Sequence, residues 1–274
     1  MKKIIFSTVL YKTSIRDLER LLESLESLNI ELNKRKNNIK LEKFLIIDNS
    51  KNSEFNLENL RKERFSFDIN FFKSKKNLGY GMGHNANLLK EKSNKDTWYV
   101  TVNPDIYFQG VDIVGFFEFI FSSKKLSCAA PLIYLPNGKI QYSAKKNPTM
   151  ASLLISRFSF FKFIPFLKQY LNNNQNKHLD YEKECIEAPF LSGCFLAFPS
   201  MIFKKIDGFS KNYFLHFEDA DIVRRSDLEG LTLHCPYGSV THIRGRGSHK
   251  SFSQQFYLTI SYVKYSKIWG FRLF

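Results

Sequence analysis

Lys43-Phe44-Leu45-Ile46-Ile47-Asp48-Asn49-Ser50 is the stretch on which the fold turns. A continuous apolar run of strand length that stops on polar, turn-forming residues reads as a strand buried on both faces, its carboxyl end opening into a loop. The same pattern recurs at Thr97-Trp98-Tyr99-Val100-Thr101-Val102, which ends on Asn103-Pro104-Asp105. Upstream, residues 3–10 form another apolar, β-rich run. Between these strands Leu18, Leu21, Leu22, Leu25 and Leu28 recur at helical spacing over 15–29, with Asp17 and Glu19 where a helix start favours acids. Residues 68–73 read as a third short strand, followed by a glycine-rich turn and a helix from about 84 to 92. Residues 126–143 read as a strand and a hairpin around Pro136-Asn137-Gly138. This order predicts an α/β protein: a mostly parallel central sheet flanked by helices, with its site at the strand carboxyl ends.

The chain has 274 residues, 43% of them hydrophobic and 16% aromatic, which suits a globular core rather than a disordered chain. Its 41 Lys and Arg outnumber 26 Asp and Glu, leaving a net charge of +15. Such a field attracts phosphorylated ligands, nucleic acid or an anionic membrane surface, although Lys scattered on solvated faces gives the same count. Cys128, Cys185, Cys194 and Cys235 lack zinc-site spacing and read as buried free thiols of a reducing compartment. The first apolar run is strand-length and no uninterrupted run is long enough to span a bilayer, so a cytoplasmic location is expected.

Four polar clusters carry the chemistry. Asp48-Asn49-Ser50 can accept hydrogen bonds from a base or a ribose, or simply close a turn. Asn77-Leu78-Gly79-Tyr80-Gly81-Met82-Gly83-His84-Asn85 allows close backbone approach to a ligand ahead of a helix N-terminus, or is a plain connection. Asp105, in Asn103-Pro104-Asp105, can hold a divalent metal through oxygen, or belong to a turn. Glu218-Asp219-Ala220-Asp221 crowds three carboxylates, which suits a general base and also a helix N-terminus with Arg224 and Arg225 one turn on. Further on, His242, Arg244 and Arg246 share a glycine-bearing loop suited to a metal ligand and phosphate clamps.

Taken in this order, with Gly193-Cys194-Phe195-Leu196 and the run Gly208 to Asp221, the motifs resemble family 2 glycosyltransferases of the GT-A fold, and within them bacterial rhamnosyltransferases of O-antigen and cell-wall assembly. The resemblance covers roughly residues 3–250. It implies one GT-A domain over 1–250, with 145–185 as a variable helical insertion or lid and 251–274 as an aromatic-basic helical tail. It implies an inverting, metal-dependent transferase. Asp219 is then the base, with Glu218 as second choice, and Asp48 meets the nucleobase. Asp105 and His242 hold Mg²⁺ or Mn²⁺. Asn49, Asn77, Gly79, Tyr80, Gly83, Asn85, Asn103 and Arg246 serve the donor. Asn103 stands where the family usually has the first acid of its D-x-D.

The resemblance also favours L-rhamnose from dTDP-rhamnose as the donor, with UDP-hexose as the alternative, and a saccharide or polyprenyl-diphosphate-linked acceptor of a surface polysaccharide. The aromatic-basic segments 150–170 and 252–274 offer a peripheral membrane contact, a homodimer contact or simply core. The rival of another class is a basic nucleic-acid-binding protein, which fits the charge but lacks a helix-turn-helix, zinc or RRM-like signature.

Overall fold

The computed structural model describes residues 1–35, 37–51, 64–157, 159–243 and 252–274. Its frame is a nine-stranded sheet built from β1 (Lys2–Leu10), β2 (Ile39–Asp48), β3 (Asp68–Lys73), β4 (Thr97–Val102), β5 (Ile106–Tyr107), β6 (Leu126–Tyr134), β8 (Ile186–Glu187), β10 (Phe195–Pro199) and β11 (Leu231–His242). The order across the sheet is β3-β2-β1-β4-β10-β6-β11-β5, with β8 on β11. The first four strands are mutually parallel, as the alternation of strands and helices predicts. Beyond them the sheet is mixed: β10 runs antiparallel between β4 and β6, and β11 pairs parallel to β6. The chain reaches β10 after the insertion rather than through a crossover helix, so no parallel geometry is imposed there.

β4 is buried at all six positions, which is why its sequence is apolar without alternation. Helix α1 (Ile15–Arg35) turns its leucine stripe onto this sheet; Leu18, Leu21, Leu25 and Leu28 are fully buried. Each such side chain contributes about 2 kcal/mol of transfer free energy. Helix α3 (Gly110–Ser122) packs beside α1 with Ile113, Phe116, Phe117 and Ile120 inside. The hairpin at Pro136–Gly138 is present, closed by Leu135 N–H to Lys139 O at 2.8 Å.

Helix α2 (Tyr80–Leu88) begins four residues before the expected start, so two glycines of the motif lie inside it. Packing explains them. A Cβ on Gly81 would sit 2.7 Å from Phe209 Cβ, and one on Gly83 would sit 2.7 Å from a Val9 methyl. Gly79, just before the helix, has φ of 80° and lies against the Phe214 carbonyl.

The segment after β7 (Ala144–Lys145) folds into α4 (Met150–Arg157), a 3₁₀ stretch at Ser159–Phe163, and α5 (Pro165–Asn174). β7 pairs with β9 (Phe190–Leu191) in a small separate ribbon. Helix α6 (Ser200–Lys205) follows β10, α7 (Glu218–Asp227) precedes β11, and α8 (Phe252–Trp269) ends the chain. The last helix is no loose appendage. Tyr262 and Tyr265 are buried against Phe217, and Trp269 Nε1–H donates to Asp221 Oδ1 at 2.9 Å. Cys128, Cys194 and Cys235 are buried free thiols as expected, but Cys185 is exposed, since it precedes the short edge strand β8.

Candidate active site

The strand register brings the distant acids together. Leu10 of β1 pairs with Asp48, and Ser7 with Thr101 two residues short of Asn103, so β2 and β4 release their polar ends at one edge. Pairing of His242 with Ile106 then sets His242 beside Asp105. Asn103 N–H donates to Cys194 O at 2.9 Å, and Ile243 N–H to Asp105 O at 3.0 Å, tying the acidic turn to β10 and β11.

A cavity of about 680 Å³ opens at this edge, walled among others by Lys12, Tyr80, Asp105, Gly193, Asp219 and His242. His242 Nδ1 lies 2.9 Å from Gln141 Oε1, an acceptor, so Nδ1 carries the hydrogen. In the neutral ring Nε2 then presents its lone pair, 3.3 Å from Asp105 Oδ1 and 3.4 Å from Asn103 Nδ2. Burial disfavours the imidazolium, but Cys194 and Asp105 beside it lift the ring to about 10. The charged ring donates Nε2–H to Asp105; a cation bound there would displace that proton, and the nitrogen and the carboxylate oxygen would then form its donor pair, the imidazole fixed through its other nitrogen. Among the described residues no three His, Cys, Asp or Glu side chains gather as a metal cluster.

Opposite this pair stands the start of α7. His216 and Phe217 both have φ of 67°, a left-handed conformation uncommon for residues with a Cβ. Two such residues in succession force the sharp turn that delivers Glu218 and Asp219 to the cavity, a strain that the surrounding structure must hold. Asp219 Oδ2 accepts Gly193 N–H at 3.1 Å and Oδ1 accepts Ala220 N–H at 2.9 Å. Gly193 leaves room for this contact, since a Cβ there would lie 2.9 Å from Asp219 Cβ. Glu218 differs. It is buried, Oε2 has no partner among the described residues, and burial together with the charge of Asp219 raises its carboxyl to about 8. Burial thus favours the protonated form of Glu218. Arg225 holds the helix from behind, donating to Asp221 Oδ2 at 2.8 Å and to the carbonyls of Ile206 and Gly208.

Of the expected site residues, Tyr80, Asn103, Asp105, Glu218, Asp219 and His242 meet in this cavity. Asp48 and Asn49 lie buried at the end of β2, with Asp48 Oδ2 and Asn49 Oδ1 unpartnered among the described residues. Asn77 accepts Gly79 N–H, and Asn49 donates to Gly79 O at 3.1 Å. Asn85 clamps Phe209 through both its backbone groups at 2.8 Å, and Gly83 packs on β1. Both stand behind the cavity wall rather than in it. Arg246 lies outside the described residues. Several cavity residues were not expected in the site, among them Lys12, Gln141 and Gly193. Gly193 belonged to a matching stretch, whereas nothing near Gln141 marks it as the partner of a histidine 101 residues away.

No protein-family model matches the chain. It is 25% identical over 186 residues to the rhamnosyltransferase WbbL of Escherichia coli (strain K12), covering 65% of this chain and 66% of that protein. Among solved structures, GalNAc-T7 with UDP, GalNAc and Mn²⁺ superposes with a TM-score of 0.70 at 16% identity, over 98% of this chain and 49% of that one. The Pyrobaculum calidifontis mannosyltransferase PcManGT, in complex with GDP-Man and Mn²⁺, gives 0.60 at 10% identity, over 96% and 64%. S. aureus TarS 1–349 gives 0.58 at 14% identity, over 89% and 60%. The chain thus spans between about half and two thirds of the proteins it matches. Among the described residues no helix is long and apolar enough to cross a membrane. The chain has the GT-A glycosyltransferase fold, and these likenesses together support the family 2 glycosyltransferase resemblance of its sequence.

Proposed function

We propose that the protein transfers a sugar from a nucleotide-sugar donor to an acceptor hydroxyl with inversion. The observation that carries the reading is the single cavity in which Asp105 and His242 face Asp219. Asp219 takes the acceptor proton as the acceptor oxygen bonds to the anomeric carbon; the bond from that carbon to the diphosphate oxygen breaks, and its electron pair leaves with the nucleoside diphosphate. Two backbone N–H groups orient Asp219 for this, and Glu218, beside it and buried, is the second choice for the base.

Asp105 and His242 would hold a divalent cation, Mg²⁺ or Mn²⁺; when bound, it neutralises charge on the leaving diphosphate. Two protein ligands suit a cation whose remaining positions belong to phosphate and water. GalNAc-T7 and PcManGT, both solved with Mn²⁺ and a nucleotide, are in keeping with that cofactor. Asp48 would receive an N–H of the base, which its unpartnered Oδ2 favours. Rhamnose from dTDP-rhamnose is the donor we favour, on the likeness to WbbL; a UDP- or GDP-sugar is the alternative, in line with the nucleotides of the structural neighbours.

A polysaccharide precursor, soluble or lipid-linked, is the acceptor we favour. Exposed Phe163, Phe166, Phe271 and Phe274 lie on the insertion and the chain end, which meet where Ala151 N–H donates to Leu273 O at 2.9 Å. That arrangement favours peripheral contact with the inner face of the cell membrane. Thermal shift with nucleoside diphosphates and nucleotide sugars, with and without Mn²⁺, tests the donor reading. Metal-dependent stabilisation by one base is expected, and no shift from any of them overturns it.

A further inference from the structure

Asp219 is half-buried and stands in open surroundings. With Glu218 it lines both the cavity described above and a smaller one, of about 270 Å³, on the side of the insertion, so the pair forms a partition between the two. The aim of its carboxylate then depends on the groups bonded to it. Oδ1 is held from within its own turn by Ala220 N–H, and Oδ2 from the loop before β10 by Gly193 N–H. Oδ2 is therefore only as well placed as Gly193. We propose that Tyr80 is a positioning residue for the base: its hydroxyl donates to the Gly193 carbonyl at 2.5 Å, and Gly193 so anchored holds Asp219 in its working orientation. This rests on the reading of Asp219 above, and it gives Tyr80 a role other than the donor contact that the resemblance implies.

Gly193 needs such an anchor. A Cβ there would lie 2.9 Å from Asp219 Cβ, so the position excludes the side chain that would otherwise restrict its backbone. Two peptide planes pivot at its Cα: the N–H of one meets Asp219, and the carbonyl of the other meets Tyr80. Beyond the pivot the chain is tied down, since Cys194 O accepts Asn103 N–H at 2.9 Å and β10 begins one residue later. Tyr80 is itself placed by packing. It is the first residue of α2, and its ring meets His84 at 4.5 Å and Phe209 at 6.0 Å, both edge-on. Asn85 holds Phe209 through both its backbone groups. The glycines on either side of Tyr80 let α2 come this close: a Cβ on Gly79 would collide with the Phe214 carbonyl, and one on Gly81 with Phe209. Burial, and then the acidic groups of Cys194, Glu218 and Asp219, push the phenol well above its usual range, so it keeps its hydrogen and donates.

The test uses Tyr80→Phe, which keeps the ring against His84 and Phe209 and removes only the hydroxyl. In the full chain carrying isotopically labelled glycine, the Gly193 amide should exchange with solvent about tenfold faster in the variant. Gly138, whose N–H is bonded in the distant hairpin, should keep its rate. Turnover is read as nucleoside diphosphate release from dTDP-rhamnose and UDP-hexoses, with Mn²⁺ and methyl glycosides as acceptors. Tyr80→Phe should lower kcat roughly tenfold and leave the KM for donor within about twofold of wild type. In the Asp219→Asn background the same change should cost less than about twofold, because the base that Tyr80 serves is gone. An equal cost in both backgrounds, a rise in donor KM that accounts for the loss, or unchanged exchange at Gly193 overturns the proposal. Near wild-type turnover by Asp219→Asn overturns the base reading itself, whereas exchange at Gly193, which needs no substrate, reads the Tyr80 contact separately.

Discussion

The two cavities that meet at Glu218 and Asp219 are built from different kinds of chain. The first is walled by the ends of β1 and β4, by β11 and by the start of α7, elements whose positions the sheet register dictates. The second is walled by an insertion of short helices and by the last helix, held by side-chain packing and a few backbone bonds. On the proposed reading, the sheet frame holds the donor side of the reaction. Changes on the sheet side should therefore strike nucleotide and metal, and changes on the insertion side should strike surface contacts.

The largest effect expected on the sheet side is from Asp105→Ala. Loss of the carboxylate should lower metal-dependent transfer by roughly 10²–10³-fold and abolish Mn²⁺-dependent nucleotide stabilisation, read by initial rates and thermal shift. Gln141→Leu tests the second layer of the same wall. It frees His242 to turn and should cost roughly 10–100-fold in Mn²⁺ affinity with the fold intact, measured by titration of Mn²⁺ against activity.

Glu218→Gln acts on the partition itself. The folded carboxyl, at about 8, lies above its ordinary 4.5, so between those pH values the folded chain holds a proton that the unfolded chain has lost. Stability from this group is full below about 4.5 and declines as pH rises to about 8. The glutamine variant should be more stable than wild type at pH 8.5 by a few kcal/mol, with a smaller difference at pH 5, in urea unfolding at each pH. A constant difference would deny the buried proton.

The smallest effect belongs to the insertion surface. Phe163→Ser with Phe166→Ser should leave nucleotide binding unchanged and weaken flotation with anionic liposomes several-fold. Unchanged flotation, or none in wild type, removes the membrane contact and leaves a soluble acceptor.

The sequence foretold the two sides unequally, for physical reasons. The roles proposed for Asp48, Asp105 and Asp219 come from the resemblance, but the polar strand ends at Asp48 and Asp105 and the acidic helix start at Asp219 stand out against apolar runs. The parallel half of the sheet was legible for the same reason. The glycine motif misled in part: Gly81 and Gly83 lie inside α2 for the sake of Phe209 and Val9, contacts that local sequence does not encode. Gln141 gave no signal, since it acquires its place only through long-range pairing with His242. The mixed half of the sheet escaped notice because β10 and β11 have ordinary strand patterns whose direction depends on what precedes them. The insertion read as an aromatic-basic lid, and only its packing against the turn at His216 and Phe217 shows a second cavity.

On the proposed reading, Asp219 is the base in a transfer that Asp105 and His242 serve from the donor side. Donor binding and nucleoside diphosphate release, measured side by side for wild type and Asp219→Asn over a panel of nucleotide sugars with Mn²⁺, test it most directly. The variant should bind the preferred donor within about twofold of wild type yet pass its sugar to the acceptor, with release of nucleoside diphosphate, roughly 10²–10⁴-fold more slowly. Release at near wild-type rate by Asp219→Asn would contradict it.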